Sequence, residues 1–315
     1  MKKLYFIVNL LAGRATIGDK LGEIIDEFNK AEYEVTVHIT QSGTDAADSA
    51  KYACSNGFDI LVCAGGDGTL SQCLQGMMES ERHIPIGYLP AGSTNDFART
   101  LGIPRNTMDA VKWITTGTPM ACDIGKFNDS YFSYIVAFGA FTNVAYETPQ
   151  QIKNLFGHVS YVLNGIAQLS TIRSKQMRIE YDNNVIEGDF IYGMVTNSAS
   201  IAGLLSMNDF LLDDGVFEVI LIKKPSNIVQ LRQIVHSLLN ISEEIDKEYI
   251  KFFRTDKITF TSLNDADITW TRDGEYGGNA QVNIVQNCHR AISFMIGDQF
   301  DHSYEDTIEQ YLSEK

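Results

Sequence analysis

The sequence predicts an α/β fold in two lobes, the first built around a parallel sheet and the second mainly antiparallel. The chain has 315 residues, of which 44% are hydrophobic, so it is long enough for two domains with substantial cores. Its first ~120 residues alternate short β-rich runs with polar-faced helical stretches, which is typical of βαβ units. Beyond them, long Tyr/Phe/Val-rich alternations between turn residues indicate antiparallel strands.

The elements of the first lobe are predicted from apolar runs and from the polar and turn residues that separate them. A continuous apolar run such as Ile60–Ala64 is expected of a strand that is buried on both faces. Lys2 and Lys3 before the first run resemble a signal peptide, but Asn9 interrupts it and the first-strand interpretation is preferred. Strands are predicted at Leu4–Val8, Val35–Thr40, Ile60–Ala64 and Ile86–Leu89, and helices near Lys20–Lys30, Thr44–Asn56, Leu70–Ser80 and Asp96–Leu101.

The second lobe is predicted from its turns and from two helical interruptions. Turns are expected at Asn128-Asp129, Asp182–Asn184 and Asp213–Gly215. One helix is predicted at Val159–Thr171 and an amphipathic one at Ser226–Tyr249. The apolar stripe of the latter has i, i+3, i+4 spacing and predicts packing against the core: Ile228, Leu231, Ile234, Val235, Leu238 and Leu239.

Composition excludes several classes of function. The formal net charge of −15 argues against nucleic acid as a partner, because Lys and Arg supply affinity for phosphate backbones. No run approaches the roughly 20 apolar residues of a membrane helix, so any membrane contact is expected to be peripheral. The five cysteines have no CxxC spacing, which indicates neither a disulfide framework nor a zinc site and fits the cytoplasm.

Three polar motifs could carry chemistry. Gly65-Gly66-Asp67-Gly68-Thr69 lies between a buried strand and a helix, where glycines let backbone N–H groups approach phosphate; an ordinary tight turn is the other interpretation. Gly92–Arg99 places Ser, Thr, Asn and Asp together before a helix, more than an N-cap alone requires. Asp273-Gly274-Glu275 is either a surface turn or a general-base site. GxxxxGK[ST] is absent, which excludes a P-loop kinase.

In this order and spacing, the motifs resemble the diacylglycerol kinase catalytic-domain family, which includes sphingosine, ceramide and bacterial lipid kinases. The resemblance extends to Asp123–Gly125, Gly139–Phe141, Gly157–Tyr161 and Leu211–Val216. It implies a Rossmann-like nucleotide-binding lobe at residues 1–122, to which residues 288–315 return. It also implies a β-sandwich lobe for the lipid substrate at residues 123–287.

The resemblance further implies ATP and Mg²⁺ at the first lobe and phosphoryl transfer to a lipid hydroxyl, most simply that of diacylglycerol, in phospholipid synthesis. Asp67 would lie at the phosphates and magnesium, and either Glu275 or Asp273 would accept the hydroxyl proton. A second metal would be held by the Leu211 carbonyl, the Asp214 carboxylate and the Val216 carbonyl; a metal-free hairpin turn is the alternative. The implied nucleotide contacts are Asn9, Gly13, Thr40, Gly65, Gly66, Asp67, Gly68, Thr69, Leu70, Ser71, Thr94, Asn95 and Asp96.

The chain departs from the family pattern at two positions near the nucleotide. Asn9-Leu10 replaces Asn-Pro, and Ser71-Gln72 replaces Asn-Glu, which alters a hydrogen-bonding group and a charge. Peripheral docking at a membrane surface would use a basic patch; Lys153, His158, Arg173 and Lys175, near Leu155 and Phe156, are candidates, with a solvated helix face as the alternative.

Two other functions remain open from the sequence. NAD kinases share GGDGT and a two-lobed build, so a soluble nucleotide kinase is one alternative. A catalytically silent nucleotide- or lipid-binding regulator is another, for which Ser71-Gln72 would be the explanation. Retention of four carboxylates, Asp67, Asp96, Asp273 and Glu275, favours an enzyme, because crowded carboxylates repel one another unless a cation is present. The identity of the lipid and a homodimer are left open.

Overall fold

The computed structural model describes most of both lobes. The residues described are 1–13, 17–139, 173–197, 200–201, 205–206, 211–227, 229–231, 233–234, 248–264 and 266–298. The helix predicted at Val159–Thr171 and the docking candidates Lys153, Leu155, Phe156 and His158 lie outside these ranges. So does much of the amphipathic helix predicted at Ser226–Tyr249, although residues 229–231 and 233–234 are helical.

The first lobe alternates strands and helices. Its elements are β1 (Lys2–Val8), a 3₁₀ turn (Gly18–Lys20), α1 (Leu21–Lys30), β2 (Tyr33–Ile39), α2 (Asp45–Ser55), β3 (Ile60–Gly65), α3 (Asp67–Met78), β4 (Ile86–Pro90), α4 (Asp96–Thr100) and α5 (Thr107–Thr116). Strands β1 to β4 pair in parallel in the order β4-β3-β1-β2. All six residues of β3 are buried, as its uninterrupted apolar run predicts.

The second lobe is antiparallel. Its elements are β5 (Thr118–Phe127), β6 (Ser130–Phe132), β7 (Ile135–Gly139), β8 (Lys175–Tyr181), β9 (Asn184–Thr196), β10 (Ser200–Ile201), β11 (Leu205–Ser206), β12 (Phe217–Lys223), β13 (Ile250–Thr255), β14 (Lys257–Ser262), β15 (Ile268–Arg272), β16 (Glu275–Ala280) and β17 (Val282–Ile296). The turns predicted at Asn128, Asp182 and Gly215 have positive φ at these residues. The two-lobed α/β fold class is confirmed.

One continuous sheet connects the lobes. Strand β17 pairs with β14 and β5 and then reaches β4 in the first lobe. The predicted domain boundaries at residues 122 and 288 therefore fall inside β5 and β17, two strands that run from one hydrophobic core to the other. This continuity limits how far the lobes can separate.

Each lobe has its own hydrophobic core. In the second lobe, Trp270 is fully buried and its ring lies 4.9 to 5.1 Å from those of Phe127, Phe138 and Phe260. In the first lobe, the ring of Phe294 from β17 packs edge-on against that of Phe97, with 5.1 Å between centroids. Aromatic side chains dominate the packing at both places, because each buries a large apolar area.

Two details of the first lobe differ from the sequence prediction. Helix α3 begins at Asp67, three residues before the predicted start, because Gly66 is extended at the N-cap and the glycine motif itself winds into the first turn. Helix α5 was missed, although Asn106 caps it by accepting hydrogen bonds from the amides of Met108 and Asp109. Within the described ranges, no helix is long and apolar enough to cross a membrane.

Candidate active site at the lobe interface

The predicted nucleotide loops meet at the carboxyl edge of the parallel strands. Strand β1 lies between β2 and β3, so the chain order reverses there, and such switch points form crevices in open α/β sheets. Asn9 follows β1 and links the two sides of the crevice: its backbone amide donates to Ala64 O at 2.9 Å, and its Nδ2 donates to Thr69 Oγ1 at 3.0 Å. The sequence alone could not show this convergence.

Glycines allow the loops to approach one another closely. A Cβ at Gly92 would lie 2.6 Å from Gly66 Cα, so any side chain at Gly92 would push the two loops apart. Gly13 has φ +55° and faces the Ala91 carbonyl, which a Cβ would overlap. Gly66 has no side chain with which to cap the first amides of α3. Those amides are therefore available to an anion, as the GGDGT motif predicts.

Asp67 joins the Gly65–Thr69 motif, the predicted phosphate loop, to the Gly92–Arg99 motif. Its Oδ2 accepts hydrogen bonds from Thr94 Oγ1 and from the Asp96 amide, both at 3.2 Å, and its Oδ1 faces the Phe97 amide at 3.5 Å. Asp67 thereby caps α4 from a different element. Asn95, in the left-handed conformation, holds Gly92 in place: its Oδ1 accepts from the Gly92 amide and its Nδ2 donates to the Gly92 carbonyl, both at 2.9 Å.

The remaining predicted nucleotide residues lie around this edge in different settings. The Thr40 amide, just after β2, donates to Val8 O at 3.0 Å. Leu70 is fully buried and Ser71 is 8% exposed, so their side chains pack inside the lobe. Gln72, which replaces a family glutamate, is partly buried on the same helix.

The Asp273-Gly274 turn belongs to the β15–β16 hairpin and reaches the site from the second lobe. Arg272 pairs with Glu275, and both intervening residues have positive φ, at +47° and +82°. This is a type I′ turn, for which Asp-Gly is a favoured sequence. Of the two carboxylates that the sequence could not distinguish, Asp273 is therefore the first residue of the tight turn and Glu275 directly follows the turn, and their surroundings differ.

The Asp273 carboxylate is buried, and each of its two oxygens accepts two hydrogen bonds. It is 4% exposed and accepts from the amide and hydroxyl of Ser133 and from the amides of Tyr134 and Ile135, at 2.8 to 3.2 Å. Burial raises the pKa of Asp273, and these donors oppose the rise. Because all four partners are donors, the arrangement suits an ionised carboxylate that anchors the hairpin to β7.

Glu275, in contrast, is exposed and lies against the phosphate loop. A Cβ at Gly68 would overlap Glu275 Oε1 and lie 3.2 Å from its Cδ. The carboxylate of the second lobe therefore meets the first turn of α3, where the helix dipole favours negative charge. Because residue 68 is glycine, the Glu275 carboxylate can lie directly against the backbone of this turn.

Crowding of carboxylates affects the titration of Asp67. The pKa of Asp67 is raised to about 6, mainly by burial and also by the charges of Asp96 and Asp273, while the Asp96 and Phe97 amides oppose the rise. A neighbouring cation would remove this repulsion. Asp67 and Asp96 from two loops and Asp273 and Glu275 from the hairpin thus place four carboxylates near a set of uncapped helix amides.

Comparisons with known proteins agree with this geometry. Residues 3–127 match the family described as "Diacylglycerol kinase catalytic domain", and residues 135–293 match "YegS C-terminal NAD kinase beta sandwich-like domain". A diacylglycerol kinase of Bacillus subtilis (strain 168) is 30% identical over 306 residues, covering 96% of this chain and 100% of the relative. The chain belongs to the diacylglycerol kinase family.

Other relatives extend the match. A diacylglycerol kinase of Staphylococcus aureus (strain bovine RF122 / ET3-1) is 33% identical over 287 residues, covering 90% of this chain and 89% of the relative. A solved structure described as a diacylglycerol kinase from Bacillus anthracis str. Sterne has a TM-score of 0.73 at 21% identity, covering 94% and 97% of the two chains. A second from the same organism reaches 0.77 at 23%, covering 94% and 98%. At these identities the structures establish the shared fold.

The family supports a kinase. Kinases typically use a divalent cation near the phosphates, and the donor set of this site fits one. Within the described ranges, no three His, Cys, Asp or Glu side chains are grouped as a metal site. Magnesium is commonly held by one or two carboxylates together with substrate phosphates and water, so a complete protein cage is not required. The carboxylates of Asp67, Asp96 and Glu275 would supply such ligands.

The turn implied as a second metal site is closed by contacts of its own. Asp214 Oδ1 accepts from the Val216 amide at 3.1 Å, and Asp214 Oδ2 lies 3.9 Å from Arg254 Nη1. Arg254 also pairs with the buried Glu218 at 3.1 Å, so the turn already has positive charge beside it. One carboxylate and the carbonyls of Leu211 and Val216 remain a hard-oxygen set, and the metal there stays a prediction.

A buried hydrogen-bond network beside this turn has no role in the predictions from the sequence. Asp123 is fully buried; it accepts from the Gly215 amide at 2.7 Å, Asn287 Nδ2 at 3.1 Å and the Arg290 amide at 2.7 Å. Ser133 and Tyr134, which hold Asp273, were also missed, because they stand in an apolar strand-like run with no local signal. A polar residue inside such a run is the one available hint.

Proposed function

We propose that the chain is an ATP-dependent lipid kinase that transfers the γ-phosphoryl group to the hydroxyl of diacylglycerol, giving phosphatidic acid. The observation that carries the proposal is the contact between Glu275 of the second lobe and Gly68 of the first. It brings an exposed carboxylate to the place where uncapped helix amides can bind phosphate. The named relatives support the same reaction class.

In this proposal the first lobe binds the nucleotide. The amides that begin α3 donate hydrogen bonds to the phosphate oxygens, and the glycine contacts between the Gly66 and Gly92 loops keep the backbone close to them. Mg²⁺, when bound, neutralises charge on the phosphates. Asp67 holds α4 and the Thr94 hydroxyl against the phosphate loop, so the two motifs act as one surface.

Glu275 is the proposed general base. It would accept the proton of the lipid hydroxyl while the hydroxyl oxygen bonds to the γ-phosphorus and the bond to the β–γ bridging oxygen breaks, releasing ADP. Asp273 is unsuited to this step, because its oxygens are buried and occupied by four donors. Its proposed role is to fix the hairpin, so that Glu275 is positioned with little entropic cost.

We further propose that the protein works at a membrane surface as a peripheral protein, because its acceptor would reside there. Of the basic residues considered for docking, Arg173 is exposed, whereas Lys175 Nζ donates to the Asp267 carbonyl at 3.0 Å. The net charge of −15 requires that the docking face be locally basic or apolar.

The test is a transfer assay with γ-phosphate-labelled ATP and Mg²⁺. Diacylglycerol, sphingosine, ceramide and a polyprenol are offered separately in mixed micelles, and NAD is offered in solution. We expect label in phosphatidic acid. Label in NAD instead would support the nucleotide-kinase alternative. The second-lobe family is described as NAD kinase-like, which is why this alternative is tested. Nucleotide binding without transfer to any acceptor would favour the silent regulator.

A further inference from the structure

Helix α3 meets the second lobe at two points on one face. Its first turn lies against Glu275 at Gly68. Its third turn reaches β6, where Gln75 Oε1 accepts a hydrogen bond from the Tyr131 amide at 2.9 Å. Gly68 and Gln75 are seven residues apart, nearly two full turns, so they lie on the same face about 10 Å apart along the helix axis. The helix that begins with the phosphate loop therefore contacts the second lobe beyond that loop as well.

Gln75 supplies an acceptor to the open edge of β6. Among the described strands, β6 pairs only with β5, where Tyr131 stands opposite Lys126. A side chain of α3 thus takes the place that a further strand would have, and a partly buried amide without an acceptor costs free energy. The other end of the Gln75 side chain is also held, because its Nε2 donates to Glu79 Oε1 at 2.6 Å. Both ends of the side-chain amide therefore have partners.

Strand β6 leads directly to the group of donors that holds the hairpin. Ser133 follows β6, and its amide and hydroxyl, together with the amides of the next two residues, donate to the Asp273 carboxylate. Glu275 directly follows the turn that Asp273 begins. Only two residues of backbone separate the amide bound by Gln75 from the first of these donors.

Helix α3 itself is closely packed in the first lobe. A Cβ at Gly76 would overlap the Ala47 carbonyl, so the helix lies directly on α2. Leu70, Leu74 and Met77 are fully buried. A helix fixed in this way, and bound to β6 by its third turn, can determine how the hairpin sits against its first turn.

We propose that Gln75 is a positioning residue that joins α3 to β6 and so sets the distance between Glu275 and the phosphate loop. The kinetic consequence rests on the proposed function, whereas the effect on β6 does not. Misplacement of a reacting group by on the order of 1 Å can cost about 100-fold in rate. The amides that begin α3 belong to the first lobe, so loss of this contact should affect transfer more than nucleotide binding.

Three variants isolate the acceptor oxygen. Gln75→Met keeps the length of the side chain without the acceptor, and we expect kcat for lipid phosphorylation to fall at least about tenfold with KM for ATP within about threefold. The double variant Gln75→Glu with Glu79→Gln exchanges the two groups, so position 75 keeps an acceptor and the pair keeps an amide donor. Its kcat should return to within about threefold of wild type. Glu79→Ala, the matched control, leaves the Tyr131 contact in place and should also stay within about threefold.

The kinetic outcomes separate the contact with β6 from the pair within the helix. If Gln75→Met keeps the wild-type kcat, Gln75 does not position Glu275. If the double variant is as slow as Gln75→Met, the acceptor oxygen is not the cause, and if Glu79→Ala is as slow, the pair within the helix is. Each of these results overturns the proposal. A fall in kcat that the double variant reverses, with Glu79→Ala near wild type, supports it.

Hydrogen exchange followed by NMR without substrate separates this inference from the proposed function. We expect the amides of Tyr131 and of residues 133–135 to exchange faster in Gln75→Met than in wild type or the double variant. The amides of β3 are the internal reference, because global unfolding would expose them too. If the wild type phosphorylates no lipid but this difference is seen with β3 unchanged, the proposed function fails and the role of Gln75 is supported.

Three exchange results overturn the role of Gln75, whatever the activity. Equal exchange in all three proteins would show that the contact does not hold β6. Faster exchange confined to Tyr131 would show that the contact does not extend to the donors of Asp273. Faster exchange in β3 as well would indicate a general loss of stability.

Discussion

The Asp273 carboxylate accepts hydrogen bonds from the backbone amide and the hydroxyl of Ser133, at 2.8 and 3.0 Å, although 140 residues separate the two positions in sequence. A long-range contact of this kind fixes the β15–β16 hairpin to the strand that follows β6. The contact suits Asp273 to a structural role, whereas Glu275 is the proposed general base. The two carboxylates of one turn should therefore respond differently to substitution.

Asp273→Asn should destabilise the protein, because the amide NH₂ would face backbone donors inside the lobe. We expect a loss of about 2–4 kcal/mol in the free energy of unfolding, measured by urea denaturation. Asp19→Asn, at an exposed position in the 3₁₀ turn, is the control and should stay within about 0.5 kcal/mol of wild type. Equal stability of Asp273→Asn and wild type would show that the four hydrogen bonds are not needed.

The titration of Asp67 should be visible in stability. Its pKa rises from 3.8 to about 6 on folding, so the folded state favours the protonated carboxyl. That contribution is complete below pH 3.8 and is lost as the pH rises to about 6. In EDTA, the unfolding free energy of wild type should fall relative to Asp67→Asn by on the order of 1–3 kcal/mol across this window. Parallel pH profiles for the two proteins would contradict the burial effect.

Close packing of the two glycine loops can be tested at Gly92. Gly92→Ala would place a Cβ 2.6 Å from Gly66 Cα and 2.8 Å from Asn95 Oδ1, so the phosphate loop must shift. We expect KM for ATP to rise about tenfold or more. Gly22→Ala is the control, because no atom lies within 4 Å of its Cβ and alanine suits a helix. An unchanged KM in Gly92→Ala would show that the loops do not act together on the nucleotide.

Because β17 returns to the first lobe, truncating a buried side chain of its first-lobe part should lower the free energy of unfolding more than truncating an exposed side chain of the same strand. Phe294→Ala removes a fully buried ring and should cost about 3–5 kcal/mol. Ile284→Ala, on the same strand but 39% exposed, should cost less than about 1 kcal/mol. Chemical denaturation of both variants gives the comparison, and equal losses would argue against a core at Phe294.

Local patterns in the sequence predicted most of the first lobe and the loops of the site, for identifiable reasons. The Ile60–Ala64 run requires burial on both faces, and Gly65–Thr69 marks the strand-to-helix turn that follows. Contacts that depend on tertiary folding were not readable. Nothing near Glu275 in sequence indicates Gly68, and Ser133 looks like an ordinary strand residue until the hairpin brings Asp273 to it.

The most direct measurement of the central claim is lipid phosphorylation by Glu275→Gln beside wild type and Glu34→Gln, which changes an exposed residue of β2. Diacylglycerol in mixed micelles and labelled ATP with Mg²⁺ are the substrates. The account predicts that Glu275→Gln lowers kcat by about 100- to 10,000-fold, as loss of a general base does, with unchanged unfolding free energy and with Glu34→Gln at the wild-type rate. Transfer by Glu275→Gln at the wild-type rate would contradict it.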